Sequence, residues 1–161
     1  DSIFISSVLN SVPFLEDRKH IVRILAACCS EHTHVHAWAM SVNHKSHYSI
    51  DTQPLSKTDV KMIRFKLGYE SGIVLGGFSD KLKVQKYHTP AEIKELFSIG
   101  FKNVQMKVID DSILALCSGP IINPKELRKA IEFEFNLPYP DGSTMNYVNE
   151  AIYAFEKRGV L

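Results

Sequence analysis

Five of the seven histidines in the chain fall between Ser30 and Ile50: His32, His34, His36, His44 and His47. Imidazoles gathered this way can ligate a metal or move protons. On a β-strand, alternate side chains share a face, so His34 and His36 project together, about 7 Å apart along the strand. Two neutral imidazoles at that spacing can share one divalent ion, Mn, Mg or Zn, once a third ligand joins them. Glu31 is the expected third ligand, with His32 beside it as an alternative nitrogen donor. Val35, Ala37 and Ala39 point the other way, toward a core. His44 and His47 belong to the far end of a hairpin, out of reach of His36. The competing reading is an ordinary half-exposed strand and turn that happen to be rich in histidine.

His34-Val35-His36 has the form histidine, bulky apolar residue, histidine. It resembles the metal motif of the HUH endonucleases, the rolling-circle replication initiators and relaxases. That resemblance implies a divalent metal on His34 and His36, polarising a scissile phosphate. It also implies a tyrosine that attacks phosphorus and stays joined to the DNA. Tyr153 would be this nucleophile, with Lys157 one helical turn further along the same face. Tyr147 is a second candidate on the same helix.

Other chemistry-bearing groups are weaker. Cys28 and Cys29 sit late in a helix, whereas an activated thiolate favours a helix start. Cys117 leads into Ser118-Gly119-Pro120, a strand exit. Three cysteines with no CxxC pair fit buried thiols in a reducing, intracellular setting better than disulfides or a thiolate zinc site. Asp110-Asp111 suits a turn, and Gly76-Gly77 lacks the rest of a phosphate loop. The most basic short stretch is Lys81, Lys83 and Lys86 with Tyr87 and His88, to which Lys102 and Lys107 could add from neighbouring strands. Such a patch could hold phosphate and stack a base. It equally suits a solvated strand face whose lysines discourage edge pairing.

These groups need elements to hold them. The chain has 161 residues, 45% hydrophobic and 23% charged, enough for one domain with a real core. A net charge of +1 gives no global field for nucleic acid. No apolar run approaches the ~20 residues of a membrane span. Ile5, Val8, Leu9 and Val12 suggest a first helix, ended by Pro13. Phe14 to Ser30 reads as an amphipathic helix with Ile21, Val22, Leu25 and a cysteine inward and Glu16, Asp17, Arg18 and Lys19 toward water. His34–Val42 and Ser46–Ile50 read as a hairpin across Asn43-His44-Lys45.

A helix from Ser56 to Gly68 competes there with a strand. Gly72–Leu75 and Lys81–Tyr87 read as strands. Thr89-Pro90-Ala91-Glu92 is a capping box that opens a helix ending near Gly100. Phe101–Ile109 and Ser112–Cys117 are strands joined at Asp110-Asp111. Asn123-Pro124 begins the next helix, and Ser143 is placed to cap the last.

The order is therefore α-β-β-α over 14–67 and β-α-β-β-α over 81–135. It predicts an α+β domain of antiparallel sheet with flanking helices, a ferredoxin-like split β-α-β pattern present once or twice. One domain, 1–161, is expected, with 1–78 and 79–161 as conceivable sub-lobes. A chain opening at Asp1 is expected to be part of a larger intracellular or viral protein. No complete catalytic constellation can be named from these residues. The leading expectation is a non-enzymatic domain that binds protein or nucleic acid through its sheet face or its basic strand, without a membrane. The alternative is the metal-dependent DNA-nicking enzyme.

Overall fold

The computed structural model describes residues 1–43, 70, 72–76 and 83–161. Among them a four-stranded mixed sheet carries helices, so the α+β class holds. Its first strand, β1 (Ser2–Ser6), replaces the helix expected there. Ile3 and Ile5 turn toward the core while Ser2, Phe4 and Ser6 stay exposed, a period of two. Ser7, at φ 58°, ends the strand. Leu9–Ser11 then forms a single 3-10 turn. The apparent helical spacing came from adding the end of a strand to that turn.

Helix α1 (Leu15–Ala27) crosses from β1 to β2 (His34–Met40), which pairs with β1 in parallel, Ser2 beside His34 through Ser6 beside Trp38. The sheet is therefore mixed, not antiparallel. The other edge of β2 is taken by β6 (Ser112–Pro120), antiparallel, and β6 forms a hairpin with β5 (Phe101–Ile109). The strand order is β1-β2-β6-β5. With both edges of β2 occupied, the hairpin expected across 43–45 does not use this strand. Its second arm, 46–50, and the element expected over 56–68 lie outside the described residues.

Strands β3 (Ile73–Gly76) and β4 (Lys83–Lys86) form a separate two-stranded antiparallel sheet. The strand expected over 81–87 thus stands apart from the four-stranded sheet, and the described strands do not give a ferredoxin-like order. Asn10, buried in the 3-10 turn, joins the two sheets. Its amide donates to the Lys86 carbonyl at 2.6 Å and its oxygen accepts from the Met40 N–H at 3.1 Å.

Helix α2 (Pro90–Ser98) opens with the capping box read from the sequence. The Glu92 N–H donates to Thr89 Oγ1 at 3.2 Å, and the Thr89 N–H to Glu92 Oε2 at 2.7 Å. Helix α3 (Pro124–Glu134) is capped by Asn123 in the same sense, 3.2 Å from the Glu126 N–H. Helix α4 (Val148–Lys157), with Tyr147 at its N-cap, starts four residues later than a cap at Ser143 predicts. Ser143 is instead held to Asp141 Oδ1 by its hydroxyl at 2.7 Å and its N–H at 2.9 Å, closing a turn.

The layers follow from the buried sides. Val22 and Ala26 of α1 and Ile93, Leu96 and Phe97 of α2 pack on Val35, Ala37, Ala39, Ile113, Ala115 and Cys117 of the sheet. Behind α1, Ala27 meets Leu127, Ile131, Ala151 and Phe155, a second core that holds α3 and α4. All four helices of the described residues thus lie on one side of the four-stranded sheet.

Candidate protein-docking face

The registers fix what the other side of the sheet presents. Because Val35, Ala37 and Ala39 point inward, His34, His36, Trp38 and Met40 point outward. Reading across the strands, one row is Phe4, His36, Leu116 and Gln105, and the next is Ser6, Trp38, Leu114 and Lys107. No helix of the described residues covers them. Phe4 is 76% exposed, and its ring stacks on His36 with centroids 4.8 Å apart and planes 16° from parallel. Trp38, Met40, Leu114 and Leu116 are half-buried. Lys107 is the one lysine or arginine in these two rows. The face can give a partner aromatic and aliphatic surface, and very little charge.

His34 and His36 do share a face, as their spacing requires, and both are exposed. Glu31 lies exposed in the turn that precedes β2. Among the described residues no three His, Cys, Asp or Glu groups are placed to hold a metal. His44 and His47 lie outside the described residues.

Tyr153 and Lys157 belong to α4, on the helical side, whereas His34 and His36 occupy the opposite face of the sheet. Tyr153 is 67% exposed and turned away from Ala151 and Phe155, the side of α4 that packs. Tyr147 precedes the same helix, 56% exposed. The sheet and its helical layer separate the residues that the nicking chemistry would need together. The described residues do not bring Tyr153 and the two histidines together.

The basic strand is corrected as well. Lys86 and Tyr87 are buried, at 1% and 2% exposure, not spread on a solvated face. Lys86 Nζ meets Glu92 Oε1 at 2.8 Å and Glu70 Oε2 at 3.8 Å, and the Tyr87 hydroxyl donates to Gln85 Oε1 at 3.1 Å. Lys102 is exposed on β5, with its side-chain carbons against Gly119. Lys81 and the Lys83 side chain are outside the described residues. No continuous cationic strip can include Lys86.

The surroundings of Lys86 escaped the sequence reading. Arg18, expected to face water, is 1% exposed. It donates to the Val12 carbonyl at 2.7 Å and pairs with Glu70. His88 is buried beside it, paired across a single bridge to Ser41. Burial, then the Lys86 and Arg18 charges, pull its pKa down to about 4, so at neutral pH it is uncharged. Arg18, Glu70, Glu92 and His88, with Leu15 and Leu96, line a cavity of about 390 Å³. Lysine alternating with apolar residues gave no signal of this, because the pattern matches an exposed edge equally well.

Burial disfavours the thiolate form of each cysteine. Burial pushes Cys117 up to about 12, with Cys29 adding to the shift, and burial raises Cys28 and Cys29 as well. All three are free cysteines.

The chain matches no protein-family model, and no match was found among curated proteins or among solved structures. Among the described residues, no helix is long and apolar enough to cross a membrane.

Proposed function

We propose that this chain is a protein-interaction domain that docks through the open face of its four-stranded sheet. The rows that hold exposed Phe4 and half-buried Trp38, Leu114 and Leu116, covered by no helix of the described residues, carry the reading. A contiguous apolar patch left in water signals an interaction surface. Aromatic side chains placed centrally in such a patch dominate docking energies. Protein is favoured over nucleic acid because binding to phosphates scales with the cations that neutralise them, and these rows hold one lysine.

The chain's single tryptophan lies on this face and reports on it. Acrylamide should quench Trp38 in the native chain. The apolar dye anilinonaphthalene sulfonate should bind, and Phe4→Ser with Leu116→Ser should abolish that binding while the unfolding transition remains cooperative. A single-stranded oligonucleotide of about 20 nucleotides should not bind at physiological salt. Dye binding indifferent to both substitutions, or tight oligonucleotide binding that protects Trp38, would overturn the reading.

A further inference from the structure

The cavity of about 390 Å³ lies between the first half of α1 and α2, on the helical side of the sheet. That volume is within the range of small-molecule sites, roughly 300–1,000 Å³. Leu15 of α1 and Leu96 and Ile99 of the α2 end give it an apolar wall. Arg18, His88, Glu92 and Glu95 give it a polar one. Arg18 and His88 are each 1% exposed, so this polar wall is built into the fold rather than spread on the surface.

Two buried atoms of these lining residues have no hydrogen-bond partner: Arg18 Nε and His88 Nε2. Folded proteins rarely leave such atoms unsatisfied. The two have opposite needs. Arg18 Nε–H can only donate. His88 is neutral and its ring already donates to the Leu9 backbone, so Nε2 keeps its lone pair and accepts.

The ion pairs leave a second imbalance. Arg18 pairs with Glu70, Lys19 with Glu16, and Lys86 with Glu92. Glu95, three residues beyond Glu92 on the same side of α2, lines the cavity and has no ion-pair partner among the described residues. An anion entering the cavity would meet Glu70, Glu92 and Glu95 while the nearby cations are already matched. An ammonium would meet an unmatched carboxylate in Glu95.

We propose that this cavity binds an amino-acyl amide group: an ammonium, a carbonyl oxygen and an apolar side chain held close together. Glu95 and His88 Nε2 accept from the ammonium, Arg18 Nε–H donates to the carbonyl oxygen, and Leu15, Leu96 and Ile99 cover the side chain. A free amino-acid amide and the first residue of a polypeptide share this chemistry. The site is separate from the sheet face, so either reading can fail alone.

The probes are leucinamide, N-acetyl-leucinamide, which lacks the charge, and isocaproate, which carries the same side chain on an anion. Each is titrated into the intact chain and followed by NMR of its backbone amides. Leucinamide should bind one-to-one with a Kd of about 1 mM or tighter, the range open to a ligand of about nine heavy atoms. The shifts should centre on Glu95, Leu96 and Ile99. The other two probes should bind at least about tenfold more weakly. Glu95→Gln and Leu15→Ser should each weaken leucinamide about tenfold. Glu95 and Leu15 are both exposed, so an unchanged melting temperature should accompany the loss.

The amide of Leu-Ala-Ala separates the two sources. Binding at least as tight as leucinamide assigns the site to a polypeptide N-terminus, and binding about tenfold weaker assigns it to a free small amide. Isocaproate or the acetylated amide binding as well as leucinamide would overturn the ammonium assignment. Leucinamide binding indifferent to both substitutions would place it elsewhere on the chain and overturn the site. No saturation by about 10 mM leucinamide would end the proposal.

Discussion

Lys86 and His88 show how little the type of a residue says about its surroundings. Both are charged or polar residues in a strand-like stretch, and both are fully enclosed. A buried ammonium is tolerable only with its charge matched, and Glu92 and Glu70 supply the match. Glu92 also closes the capping box of α2, so one carboxylate serves two functions. Glu92→Ala should cost about 2–4 kcal/mol in urea unfolding, from the cap and the weakened pairing together. Thr89→Ala, which loses the cap alone, should cost about 1 kcal/mol.

His88 gives the pH dependence. Its folded pKa of about 4 lies below the ordinary 6.5, so the unfolded chain binds the proton more tightly. Its contribution is present above pH 6.5 and is lost as pH falls toward 4, a change of about 3 kcal/mol. Protonation would set a third positive charge beside Arg18 of α1 and Lys86 of β4, with Glu92 of α2 the facing carboxylate. Chemical denaturation between pH 7 and 4 should show this loss, and His88→Gln should flatten that part of the profile.

Among the elements, α1 sits where its composition and its packing meet most tightly. Val22 and Ala26 bear on the sheet while Ala27 bears on α3 and α4, so the helix has two apolar sides. Small residues let its neighbours approach. A Cβ placed on Gly100, at the end of α2, would lie 3.0 Å from Val22 Cγ1 and 3.2 Å from Ala26 Cβ. Gly100→Ala should therefore destabilise by about 1–3 kcal/mol through overpacking, read as a lower urea midpoint with unchanged slope. The capping box of α2, the Asn123 cap of α3, the β5–β6 hairpin and the alternation of β2 are legible in the sequence because each is encoded within a few adjacent residues. The first expected helix gives way to β1 because a strand end and a 3-10 turn together imitate a period of 3.6 residues. The last helix begins later than Ser143 suggests because that hydroxyl is engaged by Asp141.

At the scale of the whole molecule, the one-sided distribution of helices among the described residues is the consequential feature. It leaves Phe4 and the β1 edge in one continuous surface, and it puts Tyr153 on the side away from His36. Phe4→Ser should leave folding stability within about 0.5 kcal/mol, because the ring is already in water and is not part of either core. An isolated chain should also become less prone to aggregate on heating with Phe4→Ser, measured by light scattering, since the exposed ring is a natural seed.

The sequence by itself determined the α+β class, the outward projection of His34 and His36, three of the four helices within a few residues, and a net charge of +1 that gives no global field for nucleic acid. All of these depend on local periodicity, local caps or composition. Only the tertiary structure decided that β1 runs parallel to β2, that β4 leaves the main sheet, that Lys86, Arg18 and His88 are enclosed, and that Tyr153 lies across the sheet from the histidines. These are matters of which distant segments become neighbours. Strand pairing and burial are set by contacts between residues far apart in the chain, and an alternating pattern such as Lys-Val-Gln-Lys satisfies a solvated edge and a buried ion pair alike.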